Sequence, residues 1–77
     1  MVENIVRELN VTGLRCPLPL LKAKKALHEM EKGCVLKVLA TDPGSQRDFV
    51  VYVDQSAHEL LDSGEENGVF TYIIRKG

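Results

Sequence analysis

The chain has 77 residues, enough for one domain spanning 1–77, and a chain of this size buries only about 60% of the surface that its unfolded form exposes, which argues against a deep enclosed substrate pocket. Hydrophobic residues at 44% and charged residues at 27% exclude disorder. A formal net charge of −1 argues against partners held by long-range attraction, nucleic acid and acidic membranes among them.

No apolar run approaches the roughly 18 residues of a membrane span, so no membrane association is expected. Met1-Val2-Glu3-Asn4 has neither the basic start nor the apolar stretch of a signal peptide, so the expected location is cytoplasmic. In that compartment the two cysteines, Cys16 and Cys34, are expected to be reduced. Cys16, Cys34, His28 and His58 show none of the short-spaced pairs of zinc sites, so neither a metal nor another cofactor is expected.

In chain order, Ile5 to Val11 predicts a strand with Ile5, Leu9 and Val11 on one face, closed by Thr12-Gly13. Leu20, Ala23, Leu27 and Met30 recur at spacings of three and four, the stripe of an amphipathic helix running from Cys16 to a stop at Gly33. Pro17 suits the first helical position, and Pro19 falls in the first turn, where amides have no partner inside the helix. Cys34 to Thr41 is apolar on both faces and reads as an interior strand, in which Cys34 is a packing residue.

Asp42-Pro43-Gly44-Ser45 is a turn into a second helix over Gln46 to Gln55, capped by Asp42, or by Ser45 with Asp48 three residues on. Phe49, Val50 and Val53 form its expected inner face. A weak strand from His58 to Ser63, a polar hairpin loop over Gly64 to Asn67-Gly68, and a clear strand from Val69 to Arg75 complete the chain. The order is β-α-β-α-β-β. Two helices covering one face of a four-stranded sheet is the simplest way to bury these stripes.

Charge is uneven: residues 15–32 hold five Lys or Arg against two Glu, and residues 54–66 hold five acidic residues with no Lys or Arg. The first helix is thus basic, either as a solvated face or as a dock for an acidic partner, with Lys22 and Lys25 as the steering charges.

Cys16 is the residue that points to chemistry. It stands at or beside the start of the first helix, next to Arg15, where free amides, the positive helix end and a guanidinium all favour a thiolate. The prolines leave the Leu18 and Leu20 amides as its donors. No Cys-x-x-Cys supplies a resolving thiol, and His28 is about 18 Å away along a helix rising ~1.5 Å per residue. A lone activated cysteine without a pocket suits a covalent carrier, holding sulfur as a persulfide.

Gly13-Leu14-Arg15-Cys16-Pro17-Leu18-Pro19 contains a Cys-Pro-x-Pro motif between a strand and a helix. With Asp42 to Asp48 and the ending Glu65 to Lys76, it makes essentially the whole chain resemble the TusA/SirA-like family of sulfur carriers. The resemblance implies a two-layer α/β sandwich of α+β class with a mixed sheet, similar to the C-terminal domain of translation initiation factor 3. It implies that Cys16 accepts sulfur from a cysteine desulfurase or rhodanese-type donor and relays it to acceptor proteins. Destinations within the family are tRNA thiolation, molybdenum cofactor maturation and sulfur oxidation.

Pro17, Leu18 and Pro19 carry over as shapers of the site, Arg15 as a thiolate partner, and Arg47 and Asp48 as partner-binding, capping or ion-pairing residues. The tRNA branch often has an acidic residue between the prolines; Leu18 also occurs in members linked to sulfur oxidation. A monomer is expected of a chain that must show one thiol to several partners. The competing reading is an RNA-binding or regulatory module of the same fold, supported by the lysines of the first helix. The net charge of −1 and only four aromatics, Phe49, Tyr52, Phe70 and Tyr72, oppose it.

Overall fold

The computed structural model describes residues 5–77 as β1 (Ile5–Val11), α1 (Leu18–His28), β2 (Val35–Ala40), α2 (Ser45–Asp54), β3 (Glu59–Glu66) and β4 (Val69–Arg75). The expectations for Met1-Val2-Glu3-Asn4 and for the Ile5 side chain lie outside what is described. The sheet order is β1-β2-β4-β3, with β1 parallel to β2 and the other two pairings antiparallel. The expected β-α-β-α-β-β order and mixed sheet are therefore present.

The pleat explains the core. Leu36, Val38 and Ala40 lie opposite Ile74, Tyr72 and Phe70, and all six are buried. They pack with Val11 of β1, with Ala23, Ala26 and Leu27 of α1, and with Phe49 and Val53 of α2. Burying an aliphatic or aromatic side chain of this size stabilises the fold by about 1.5–3 kcal/mol. On the opposite pleat of β2 and β4 Val35 is buried, but Lys37, Leu39, Thr71 and Ile73 stay partly exposed, which fits helices on one face only.

Several boundaries differ from expectation. Pro17 is the N-cap of α1 and Pro19 its second residue, so Cys16 lies one residue outside the helix. The helix ends at His28, well before Gly33. There the Glu29 N–H bonds to the Lys25 and Ala26 carbonyls, and the Lys76 ammonium donates to the Leu27 carbonyl at 2.6 Å. Lys76 also pairs its backbone with Gly33 and Cys34, both at 2.8 Å, so the end of β4 holds this corner.

α2 starts at Ser45, with Gly44 as N-cap and no side-chain cap, because the Asp42, Ser45 and Asp48 side chains are directed elsewhere. Val50 is 52% exposed; the buried face is Ser45, Phe49 and Val53, at steps of four. The expected five-residue hairpin loop is instead two residues. β3 continues to Glu66, and Asn67 (φ 53°) and Gly68 (φ 82°) turn the chain, the left-handed pair that Asn-Gly favours in tight hairpins. Polar residues from Gly64 to Glu66 are compatible with a strand here because it is a solvated edge.

Candidate functional site

The site is built where β1 hands over to α1. Asn10 Oδ1 accepts from the Thr12 amide at 3.0 Å and from the Thr12 hydroxyl at 2.7 Å, and the Gly13 N–H donates to Thr41 Oγ1 at 2.8 Å. These bonds tie the end of β1 to the residue that follows β2. The Leu18 N–H donates to the Arg15 carbonyl at 2.8 Å, closing a turn with Cys16 and Pro17 at its apex. The Cys16–Pro17 peptide is cis. Pro19 is buried and anchors the first turn of α1, whereas Cys16 is exposed.

The sulfur faces α2. The Cys16 thiol donates to Asp48 Oδ2 at 2.6 Å, and Asp48 sits in the first turn of α2. Behind them, a Cβ placed on Gly44 would lie 3.0 Å from Asp42 Oδ2, 3.7 Å from Cys16 Cβ and 4.0 Å from Sγ. The tight contact of such a Cβ is with the Asp42 carboxylate; toward the cysteine it would only reach ordinary contact distance. Asp42 Oδ2 is buried and, among the described residues, has no hydrogen-bond partner. One layer deeper, the Ser45 and Tyr72 hydroxyls bond at 2.8 Å. The Tyr72 ring stacks on Phe49 with centroids 4.5 Å apart and planes within 5°.

This corrects the electrostatics expected of Cys16. Its pKa is raised, first by the hydrogen bond to Asp48, then by loss of solvation and by the charges of Asp48 and Asp42. Arg15 is exposed and is not among the groups acting on the thiol. The Leu18 amide serves the Arg15 carbonyl rather than the sulfur, and α1 has no side-chain cap. In place of the expected thiolate, the carboxylates facing the sulfur favour the protonated thiol.

The remaining candidates are spread around this centre. Leu18 and Leu21 are 46% and 50% exposed on the first turns of α1, close in sequence to the thiol. An open groove between the helices is lined by Leu20, Lys24, Arg47, Asp48, Val51 and Tyr52. Lys24 crosses it, its ammonium 5.0 Å from the Tyr52 ring centroid. Lys22 and Lys25 are exposed along α1. They do not line this groove. Cys34 is partly buried and, like Cys16, free.

Asp42, Gly44, Ser45 and Tyr72 were not legible as site residues. The sequence signal was the Asp42-Pro43-Gly44-Ser45 turn, which reads as a helix start and nothing more.

A thiol displayed at a strand-to-helix corner of a two-helix, four-stranded α+β layer defines a small protein that offers one sulfur atom rather than an enclosed pocket. The sequence profile of the family described as Sulfurtransferase TusA matches residues 7–76. The sulfur carrier protein TusA of Allochromatium vinosum is 51% identical over 70 residues, 91% of this chain and 92% of its own. That of Pseudomonas entomophila is 46% identical over 68 residues, covering 88% and 85%. In three dimensions the chain is similar to the crystal structure of a SirA-like protein from Desulfitobacterium hafniense. The TM-score is 0.82 at 28% identity, over 94% of this chain and 99% of that one. The chain belongs to the TusA family of sulfur carriers.

Proposed function

We propose that Cys16 is the atom on which this carrier holds its cargo, taking sulfur from the persulfide of a cysteine desulfurase or rhodanese-type protein and passing it to a thiol of an acceptor protein. On loading, Sγ bonds to the terminal sulfur of the donor persulfide, the donor S–S bond breaks, and the donor cysteine leaves with the electron pair and takes up a proton. Unloading is the same exchange in reverse with a different thiol, so neither direction needs an oxidant. Destinations are those of the family: thiolated tRNA, the molybdenum cofactor or sulfur oxidation.

The observation that carries the reading is the exposure of Cys16 at the corner before α1, against the partial burial of Cys34. Leu18 and Leu21 add an apolar margin beside it, which suits contact with a protein surface better than with a small molecule. Among the described residues no helix is long and apolar enough to cross a membrane.

The test is mass spectrometry after incubation with a cysteine desulfurase and cysteine. Wild type and Cys34→Ser should each gain about 32 Da, one sulfur held as a reversible thiol cap, and Cys16→Ser should gain nothing. Equal labelling of the two serine variants would overturn the assignment.

A further inference from the structure

We propose that Asp48 is a positioning residue that makes the empty and the loaded carrier chemically different: its carboxylate holds the hydrogen of the Cys16 thiol and has nothing to hold once that sulfur carries a second sulfur. The inference rests on the carrier reading and deepens it.

The geometry is specific. An ionised carboxylate only accepts hydrogen bonds, and the thiol in contact with it, at 2.6 Å from Sγ to Oδ2, has one hydrogen to give. Asp48 comes from α2, 32 residues along the chain from Cys16, so the contact is made by the fold and not by a local turn. The second carboxylate, Asp42, approaches from the loop before α2, where a Gly44 Cβ would touch both its oxygen and the cysteine. The remaining titratable and charged groups around this corner are Arg15 beside the cysteine, Arg47 beside Asp48, Lys24 of α1 on the groove that Asp48 lines, and Tyr72 of β4 beneath Ser45.

In the empty carrier, removing the thiol proton would set a sulfur anion against a carboxylate. The proton is therefore retained, in line with the raised pKa that Asp48 and Asp42 cause. The empty carrier is a poor nucleophile toward stray electrophiles. During loading the Cys16 proton passes by way of Asp48 to the departing donor thiolate. Sγ then bears only Cβ and the outer sulfur and cannot donate, and the outer sulfur is the atom that ionises. The same carboxylates repel that anion, turning it away from α2 and toward solvent. When an acceptor thiolate attacks the outer sulfur, the Sγ–S bond breaks and its electron pair returns to Sγ. Sγ then recovers a proton and its bond to Asp48. Re-formation of that bond favours unloading.

The experiment uses the full chain carrying Cys34→Ser, with Asp48→Asn and Asp48→Glu added separately. The Cys16 thiolate is titrated by its ultraviolet absorbance, and alkylation by iodoacetamide near neutral pH is timed by mass. Each unit of pKa lost gives about tenfold more thiolate; because a more acidic thiol is intrinsically less nucleophilic, alkylation gains about three- to fourfold per unit. Asp48→Asn is expected to titrate lower and to alkylate faster, by that factor for each unit of the fall. It should also keep a larger share of its loaded sulfur at equilibrium with added thiol, and Asp48→Glu should return toward the parent in all three readouts. Coincident titration and alkylation curves for parent and Asp48→Asn, with matching thermal unfolding, would overturn the inference. If Asp48→Asn does not unfold cooperatively, the parent decides by nuclear magnetic resonance: the Asp48 carboxyl carbon must shift as Cys16 titrates, and a resonance indifferent to it overturns the inference. A parent that cannot be loaded by a desulfurase refutes the carrier reading instead, whatever the titrations give.

Discussion

Removing the Ser45 hydroxyl would leave the Tyr72 phenol without the partner it bonds at 2.8 Å under the thiol corner. A buried polar group stripped of its partner costs about 1–3 kcal/mol, so Ser45→Ala should lose that much unfolding free energy, seen as a lower urea midpoint at unchanged slope. Leu18→Ser makes the opposite kind of test. Its side chain is 46% exposed, so stability should stay within about 0.5 kcal/mol while the rate of sulfur transfer from a desulfurase falls. An unchanged transfer rate would remove Leu18 from the contact surface. At the far end of the sheet, burial and then the charge of Lys76 hold His58 below its ordinary pKa. Its neutral Nδ1 accepts from the Gly77 N–H at 2.9 Å. A folded value below the unfolded one means that this contribution is complete above about pH 6.5 and is lost as acid takes the solution down through the folded value. Protection of the Gly77 amide from hydrogen exchange should fall over that interval and not in His58→Gln.

At the scale of elements, α1 and the β3–β4 hairpin make the clearest cases. Leu27 of α1 is fully buried in the core, and Leu27→Ala should destabilise by about 2–5 kcal/mol in denaturant unfolding. Gly68 turns the hairpin at φ 82°, where any Cβ is strained, so Gly68→Ala should cost about 1–2 kcal/mol although nothing surrounds it. These two elements also mark how far the sequence could be read. The three-and-four spacing of apolar residues gives α1 its inner face directly. It cannot give the end at His28, where Lys76, just past β4, reaches back to a helix carbonyl. The hairpin shows the limit from the other side. Gly64 to Glu66 have loop composition, and only pairing with β4 makes them a strand. In α2, strand-like propensity in Phe49 to Val53 gave way to the turn that precedes it, and the four-residue step from Ser45 through Phe49 to Val53 chose the buried face.

For the molecule as a whole, the fold was legible because periodicity and order suffice to specify two layers. The site was legible in its Cys-Pro-x-Pro segment, and Asp48 only through the family resemblance. Cys16, Pro17 and Pro19 are neighbours in the chain, but Asp42, Gly44 and Asp48 reach them through the parallel pairing of β1 with β2, which brings the ends of both strands together. That encounter raises the thiol's pKa where the local sequence predicts a lowered one, and no spacing in the chain announces it. The outer strand of the sheet has a further consequence. Along β3, Glu59, Asp62, Glu65 and Glu66 are all exposed on a rim whose backbone is unpaired on one side. Such a rim is a template for stacking chains into fibrils, and mutual repulsion of these carboxylates is what keeps two templates apart. Replacing them with Gln and Asn should therefore seed cross-β deposits from this edge, visible as thioflavin fluorescence that lysine substitutions at the same positions suppress.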